Sequence, residues 1–236
     1  MLPLIATPKY DMIVPSTGES ITYRPYVVKE EKILLIALES QDDIAIERSV
    51  TDIIKACIES PIDINKLTTF DIEFMFINLR SKSVGEGIRL NMKCDSEDCD
   101  ATTEQKIDLG LVSVSNLEEK ANNHIKLNAD ISIDLRWMSM NDKLTKAQRT
   151  TQTDTVINSV AKSIETVYSG EDIFAAKDVT HKELVSFVES LNTDQFAEII
   201  KFMEAAPALS YTMKYNCTSC GHENTRELKG LADFFT

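Results

Sequence analysis

Cys217-Thr218-Ser219-Cys220-Gly221 and Cys94-Asp95-Ser96-Glu97-Asp98-Cys99 are the two stretches whose joint reading decides the fold. Each is a short loop with a cysteine at either end, and each follows a strand-like run. Ile88, Leu90 and Met92 alternate with Arg89, Asn91 and Lys93 before the first loop; Tyr211, Met213 and Tyr215 alternate with Thr212, Lys214 and Asn216 before the second. The polar runs Ala101 to Leu109 and Glu223 to Leu228 follow them, so each loop reads as the tip of a β-hairpin. Two cysteine-tipped hairpins facing each other make a zinc ribbon, because a closed tetrahedral site takes four thiolates from two short loops. Gly221 fits such a sharp turn, which favours a residue free to adopt positive φ.

A lone C-x-x-C also suits a redox pair, and paired thiols in a secreted chain would suit disulfides. A C-x-x-C combined with a C-x4-C, both at hairpin tips, points instead to one structural zinc held by Cys94, Cys99, Cys217 and Cys220. The long stretch 100–216 separates the pairs, which is tolerable because loop-closure cost grows only logarithmically with length. His222 is a substitute ligand, although four cysteines already complete the shell. Four thiolates leave no open position for water or substrate, so the metal would hold structure and do no chemistry.

A chain of 236 residues, 43% hydrophobic and 27% charged, has the composition of a globular protein with a sizeable core. The net charge of −13 opposes general binding to nucleic acid or to anionic membranes, both of which ask for a basic face. Arg80, Lys82 and Arg89 form only a thin basic patch. The run Met1 to Ile5 lacks the basic start and apolar stretch of a secretory leader, and Ile33 to Leu38 is too short to span a bilayer. Paired thiols with an odd fifth cysteine therefore predict a reducing cytoplasm. Cys57, on the apolar side of a helical pattern, is expected to be a small core residue rather than a reactive thiol.

Along the chain, Met12, Val14, Ile21 and Tyr23 around Pro15-Ser16-Thr17-Gly18 predict an N-terminal hairpin. Helices are expected over Lys29 to Glu39, with Ile33, Leu34, Ala37 and Leu38 on one broad face, and over Ile44 to Glu59 before Pro61. A third starts behind Thr68 or Thr69 and carries Phe70, Phe74, Phe76, Ile77 and Leu79, a set that reads as core. Ile125 to Trp137 alternates as a half-buried strand or as a hairpin bending near Asn128. The threonine-rich run Asn141 to Asp154 reads as mobile or solvated, and Val156 to Val167 as a helical stripe stopped by Gly170. Thr180 to Glu183 is a capping box ahead of a helix, and Phe196, Ile199, Ile200 and Met203 mark another that ends by Pro207. The terminal Phe234-Phe235 is expected to fold back on the ribbon, with docking on a partner as the alternative.

No P-loop, G-x-S-x-G or H-E-x-x-H is present, and His124, His181 and His222 have no evident nucleophile beside them. The adjacent acids Glu30/Glu31 and Glu118/Glu119 read as solvated faces. With the roles of an active site unfilled, the expectation is a protein without enzymatic activity.

Several stretches carry a resemblance: Leu2-Pro3-Leu4, Tyr23 to Leu35, Leu79 to Glu86, both cysteine pairs, and Leu228 to Phe235. Together they resemble the tail baseplate hub assembly proteins of T-even-like bacteriophages, at both ends of the chain but not between about Ala101 and Val179. The resemblance implies a non-enzymatic protein that builds the central hub of a contractile-tail baseplate by binding other hub proteins. It would act in the host cytoplasm, as an assembly chaperone or as a virion component, with neither nucleic acid nor membrane as a partner. The alternative class is a zinc-ribbon regulator that binds nucleic acid or a transcription component.

The expected fold class is α+β: helical segments around a split zinc ribbon of two β-hairpins, with an N-terminal β-hairpin. Residues 1–236 are read as a single domain. It has an N-terminal hairpin and helices over 1–85, the ribbon halves at 86–109 and 208–236, and an inserted strand-and-helix segment over 110–207.

Overall fold

The computed structural model describes residues 5–117 and 122–234. Leu2-Pro3-Leu4, the Glu118/Glu119 pair, Phe235 and Thr236 lie outside the described residues. The architecture is α+β, with six α-helices and small antiparallel sheets among the described residues. The chain divides into two compact units: Met1–Ile64, Phe70–Ser115 and Ala208–Thr236 form the first, and Asn65–Thr69 with Asn116–Pro207 the second.

The first unit opens with the expected hairpin, β1 (Tyr10–Ile13) against β2 (Ser20–Tyr23), which buries Met12, Val14, Ile21 and Tyr23. Gly18 turns it at φ 69°, and Ser16 fastens the turn by donating its backbone N–H and hydroxyl to the two oxygens of buried Asp71. Three helices follow: α1 (Val28–Ser40), α2 (Asp43–Cys57) and α3 (Thr69–Ser83). Asp42 caps α2 through Ile44 N–H, and α2 stops at Cys57, short of Pro61, because the chain turns extended to pair Ile58 with Tyr23. As expected, α3 is a core helix, burying Phe70, Ile72, Met75, Phe76, Ile77 and Leu79.

Two expectations for α1 need correction. Glu30 is not on a solvated face: it is 2% exposed, accepts from Val27 N–H at the helix start and pairs with Arg24 at 3.0 Å. Burial alone would raise its pKa, but the Val27 and Arg24 bonds hold the carboxyl below its ordinary value. The broad apolar face is also narrower than it reads, for only Leu34 and Ala37 of the run Ile33–Leu38 are buried.

Cys57 is fully buried, and burial pushes its thiol up to about 11. It is expected to resist alkylation in the native protein and to react only on unfolding. Fast labelling under native conditions, read by peptide mass spectrometry, would contradict its place in the core.

After α3 the chain forms β3 (Gly87–Lys93), β4 (Thr102–Asp108) and the short β5 (Ser113–Ser115). It then enters the second unit as a hairpin, β6 (His124–Lys126) and β7 (Ile131–Leu135), turned by Asn128, whose side chain accepts from Asp130 and Ile131 N–H. Of the two readings of Ile125–Trp137, the hairpin is correct. Helix α4 (Gln152–Ser163) leads into β8 (Ile164–Ser169) and β9 (Asp172–Ala175), giving the sheet order β6-β7-β8-β9.

Gly170 therefore turns a hairpin at φ 60° and does not stop a helix. Ile164 and Val167 keep their apolar character but belong to a strand, where β-branched residues pack well. The threonine-rich run before α4 is mostly exposed, as its polarity predicts, and is locally ordered. It forms two single 3₁₀ turns, Met140–Asp142 and Lys146–Gln148, and buries Leu144. It is pinned where Arg136 grips Asp142 at 2.6 and 2.9 Å.

Helices α5 (His181–Glu189) and α6 (Thr193–Glu204) complete this unit, the former starting at the Thr180–Glu183 capping box as its spacing predicts. Ile133, Leu135, Val160, Ile164, Leu184, Val188, Ile199 and Phe202 make its core, and Trp137 stacks on Phe202 with ring centres 4.1 Å apart.

The final strands, β10 (Ala208–Asn216) and β11 (Glu223–Lys229), return to the first unit and form a three-stranded sheet in the order β11-β10-β5.

Candidate metal centre

The two cysteine loops sit at the free ends of two hairpins of matched length. The β3–β4 ladder runs from Gly87↔Asp108 to Lys93↔Thr102, and β10–β11 from Ser210↔Lys229 to Asn216↔Glu223. Their inner faces share one core of Ile88, Leu90, Met92, Ile107, Met213, Tyr215 and Leu228, and Phe234 joins it at 2% exposure. The Phe234 half of the chain end has thus folded back as expected. Glu73 of α3 accepts a hydrogen bond from the Leu231 backbone, while burial raises its pKa.

Each loop is closed by its own backbone. Cys94 N–H donates to Ala101 at 3.0 Å and Cys99 N–H to Ser96 at 3.1 Å; Cys217 N–H donates to His222 at 2.8 Å and Gly221 N–H to Cys217 at 2.9 Å. Gly221 takes φ 75°, the positive value that the turn was expected to demand. The result gathers all four sulfurs within 4.8 Å of one another. Cys94 and Cys220 approach at 3.7 Å and Cys99 and Cys217 at 3.8 Å, crossing between loops. A disulfide bond is far shorter, about 2 Å. Four sulfurs at about 2.3 Å from a common tetrahedral centre stand about 3.8 Å apart, so the cluster has the size of a metal–thiolate site. These four cysteines can bind a metal ion.

The thiols are unequal. N–H groups of Cys220 and Ser219 draw Cys217 down to about 6. At Cys220 the His222 N–H acts to lower the pKa, but desolvation and the neighbouring sulfurs of Cys99, Cys217 and Cys94 push it up to about 12. A cluster in which ionising one thiol hinders the next wants a cation at its centre.

A brace outside the sulfurs repeats with two-fold logic. Asp95 N–H, one residue after the first cysteine of its loop, donates to Asn224 Oδ1 at 2.7 Å, four residues after the last cysteine of the other. Thr218 N–H, one residue after Cys217, donates to Thr103 Oγ1 at 3.2 Å, four residues after Cys99. Asn224 is 1% exposed and passes the link on to His222 O at 2.9 Å. Tyr215 OH adds a bond to Lys93 O at 2.8 Å, and Arg226 pairs with Asp95 at 2.6 Å. Sequence reading missed Asn224 and Thr103, although their equal offset from the cysteines was the signal that would have found them.

The family described as T4 bacteriophage base plate protein matches the chain over residues 7–236. The chain belongs to that family. No curated protein and no solved structure matches it.

Elsewhere in this baseplate protein the histidines have structural partners. His124 Nδ1 and Tyr168 OH both bond Asp134 at 2.7 Å across β6, β7 and β8. His222 lends backbone, through its carbonyl, to the loop. A groove of about 530 Å³ is lined by Val156, Ile157, Val188, Leu191 and Phe196 together with the polar Gln152, Thr153, Glu189, Asn192 and Thr193. Among the described residues no helix is long and apolar enough to cross a membrane.

His181 Nε2 donates to Asn158 Oδ1 at 2.7 Å, since the Asn158 amide NH₂ is committed to Gln148 and Asp154 carbonyls. Burial and nearby Lys162 hold its pKa below the ordinary value. The folded state then binds fewer protons than the unfolded one, so this contribution is complete above about pH 6.5 and declines as pH falls through that value. Thermal melts across this range should show acid destabilisation that flattens in His181→Gln; an unchanged slope would remove His181 as its source.

Proposed function

We propose that this chain assembles or forms part of the central hub of the phage tail baseplate, without enzymatic activity, by binding other hub proteins. The family match over residues 7–236 carries the reading. One zinc held by Cys94, Cys99, Cys217 and Cys220 would tie the two halves of the ribbon together, so that segments far apart in sequence act as a single rigid element. On this reading the chain is one domain, with 110–207 inserted between the ribbon halves.

The acidic first loop, Asp95, Glu97, Asp98 and Asp100, supports a protein partner over nucleic acid, because phosphate binding needs the opposite sign. Affinity purification of the tagged chain from infected cells should recover hub proteins. Mass spectrometry of purified particles beside the lysate then separates a resident component from a cytoplasmic assembly factor. Recovery of nucleic acid with no tail protein would overturn the hub reading in favour of the regulator.

A further inference from the structure

Helix α1 is apolar on nearly every side, yet its own unit covers only one of them. Glu30, Leu34 and Ala37 face inward, while Val28 is 78% exposed, Leu35 52% and Ile36 56%. At 100° per residue, Val28, Lys32, Leu35, Ile36 and Glu39 form a ridge pointing directly away from the buried face. A helix that is hydrophobic all round is normally covered all round. Ridges of this kind, rimmed by charge, mark protein contacts.

The ridge is complementary to itself. Laid antiparallel on a second copy, with a two-fold axis between Leu35 and Ile36, each residue of the stretch Lys32 to Glu39 meets the one equally far beyond the axis. Leu35 then meets Ile36 of the partner helix, and Lys32 meets its Glu39, twice by symmetry. Ile33 and Leu38 flank the contact on opposite sides at 47% and 37% exposure, equally far along the helix from the axis. Neither Lys32 nor Glu39 has an ion-pair partner among the described residues, and both are exposed. We propose that α1 is the interface of a symmetric antiparallel homodimer, with Leu35 and Ile36 as its apolar centre and two Lys32–Glu39 pairs fixing the register. A two-fold contact needs such self-complementarity, which a helix evolved for an unrelated partner has no reason to show.

Sedimentation velocity of the full chain over a concentration series tests this. The wild type should pass from monomer to dimer in the micromolar range, because a single helix pair is a small interface. Leu35→Asp should leave only monomer. Lys32→Glu alone and Glu39→Lys alone should each weaken association at least about tenfold through like-charge contacts. Mixing those two variants should restore a dimer, since every contact across the axis is then between opposite charges. Unchanged circular dichroism and metal content in each variant keep misfolding apart from lost association. A wild type that stays monomeric, a dimer indifferent to Leu35→Asp, or a mixture that fails to associate would each overturn the proposal; the first would hand the ridge to a different protein.

Discussion

Cys217→Ser is expected to remove stoichiometric metal and to lower the melting temperature by about 10 °C or more. Structural zinc contributes roughly 10–16 kcal/mol in isolated finger peptides, where nothing else holds the fold. Here the hairpins also have a shared apolar core, the Asp95–Asn224 and Thr218–Thr103 bonds, and Tyr215 on Lys93. The expected result is therefore a weakened ribbon and not an unfolded chain. Cys217 gives the sharpest effect because it is 3% exposed and receives N–H bonds from its own loop, so serine leaves three thiols facing a gap. Elemental analysis of natively purified protein should give one zinc per chain for the wild type and none for the variant. Protein that contains no zinc before any substitution would remove the metal from the account.

How much of this was readable in advance follows from the range of the interactions. The cysteine spacing, the alternation of Ile88, Leu90 and Met92, and the capping boxes are local and repeat within a few residues, so the hairpins, α3 and α5 were legible. So was the meeting of Cys94 and Cys99 with Cys217 and Cys220, because a C-x4-C and a C-x-x-C at two hairpin tips together supply the four thiolates of a closed site. What failed was arbitration between periods. Val156–Val167 carries apolar residues at helical spacing, but the chain leaves the helix at Ser163 and continues as β8, since its partners β7 and β9 offer ladders that local pattern cannot reveal. Glu30 was misread for the same reason. Its fate depends on Arg24, held in turn by Ala56 O on another helix, and nothing in the adjacent pair Glu30/Glu31 says which acid turns inward. The Asn141–Asp154 run is mostly exposed, as its polarity predicts; what the local pattern does not reveal is the buried Leu144 and the Arg136–Asp142 pair that fasten it.

Phe234→Ala is expected to destabilise the ribbon unit by about 3–5 kcal/mol, the range for deleting a buried aromatic ring. The ring is 2% exposed and packs with Ile77 of α3 and with residues from both hairpins, so it fills a space that no neighbour can close without moving a strand. Its position is fixed from both sides: Lys229 N–H donates to Asp233 at 2.8 Å, and the Leu231 backbone bonds Glu73. Phe234 thus seals the base of the sheets while the cysteines close their tips, two fastenings at opposite ends of the same hairpins. Because they are separate, Phe234→Ala should lower the denaturant midpoint yet retain one metal per chain, the reverse of the Cys217→Ser signature. Chemical denaturation beside metal analysis reads both. A Phe234→Ala protein as stable as wild type would mean that the ring is not part of the core. One that loses its metal as well would mean that base and tip form a single cooperative element, and that the brace at Asn224 and Thr103 cannot hold the loops together alone.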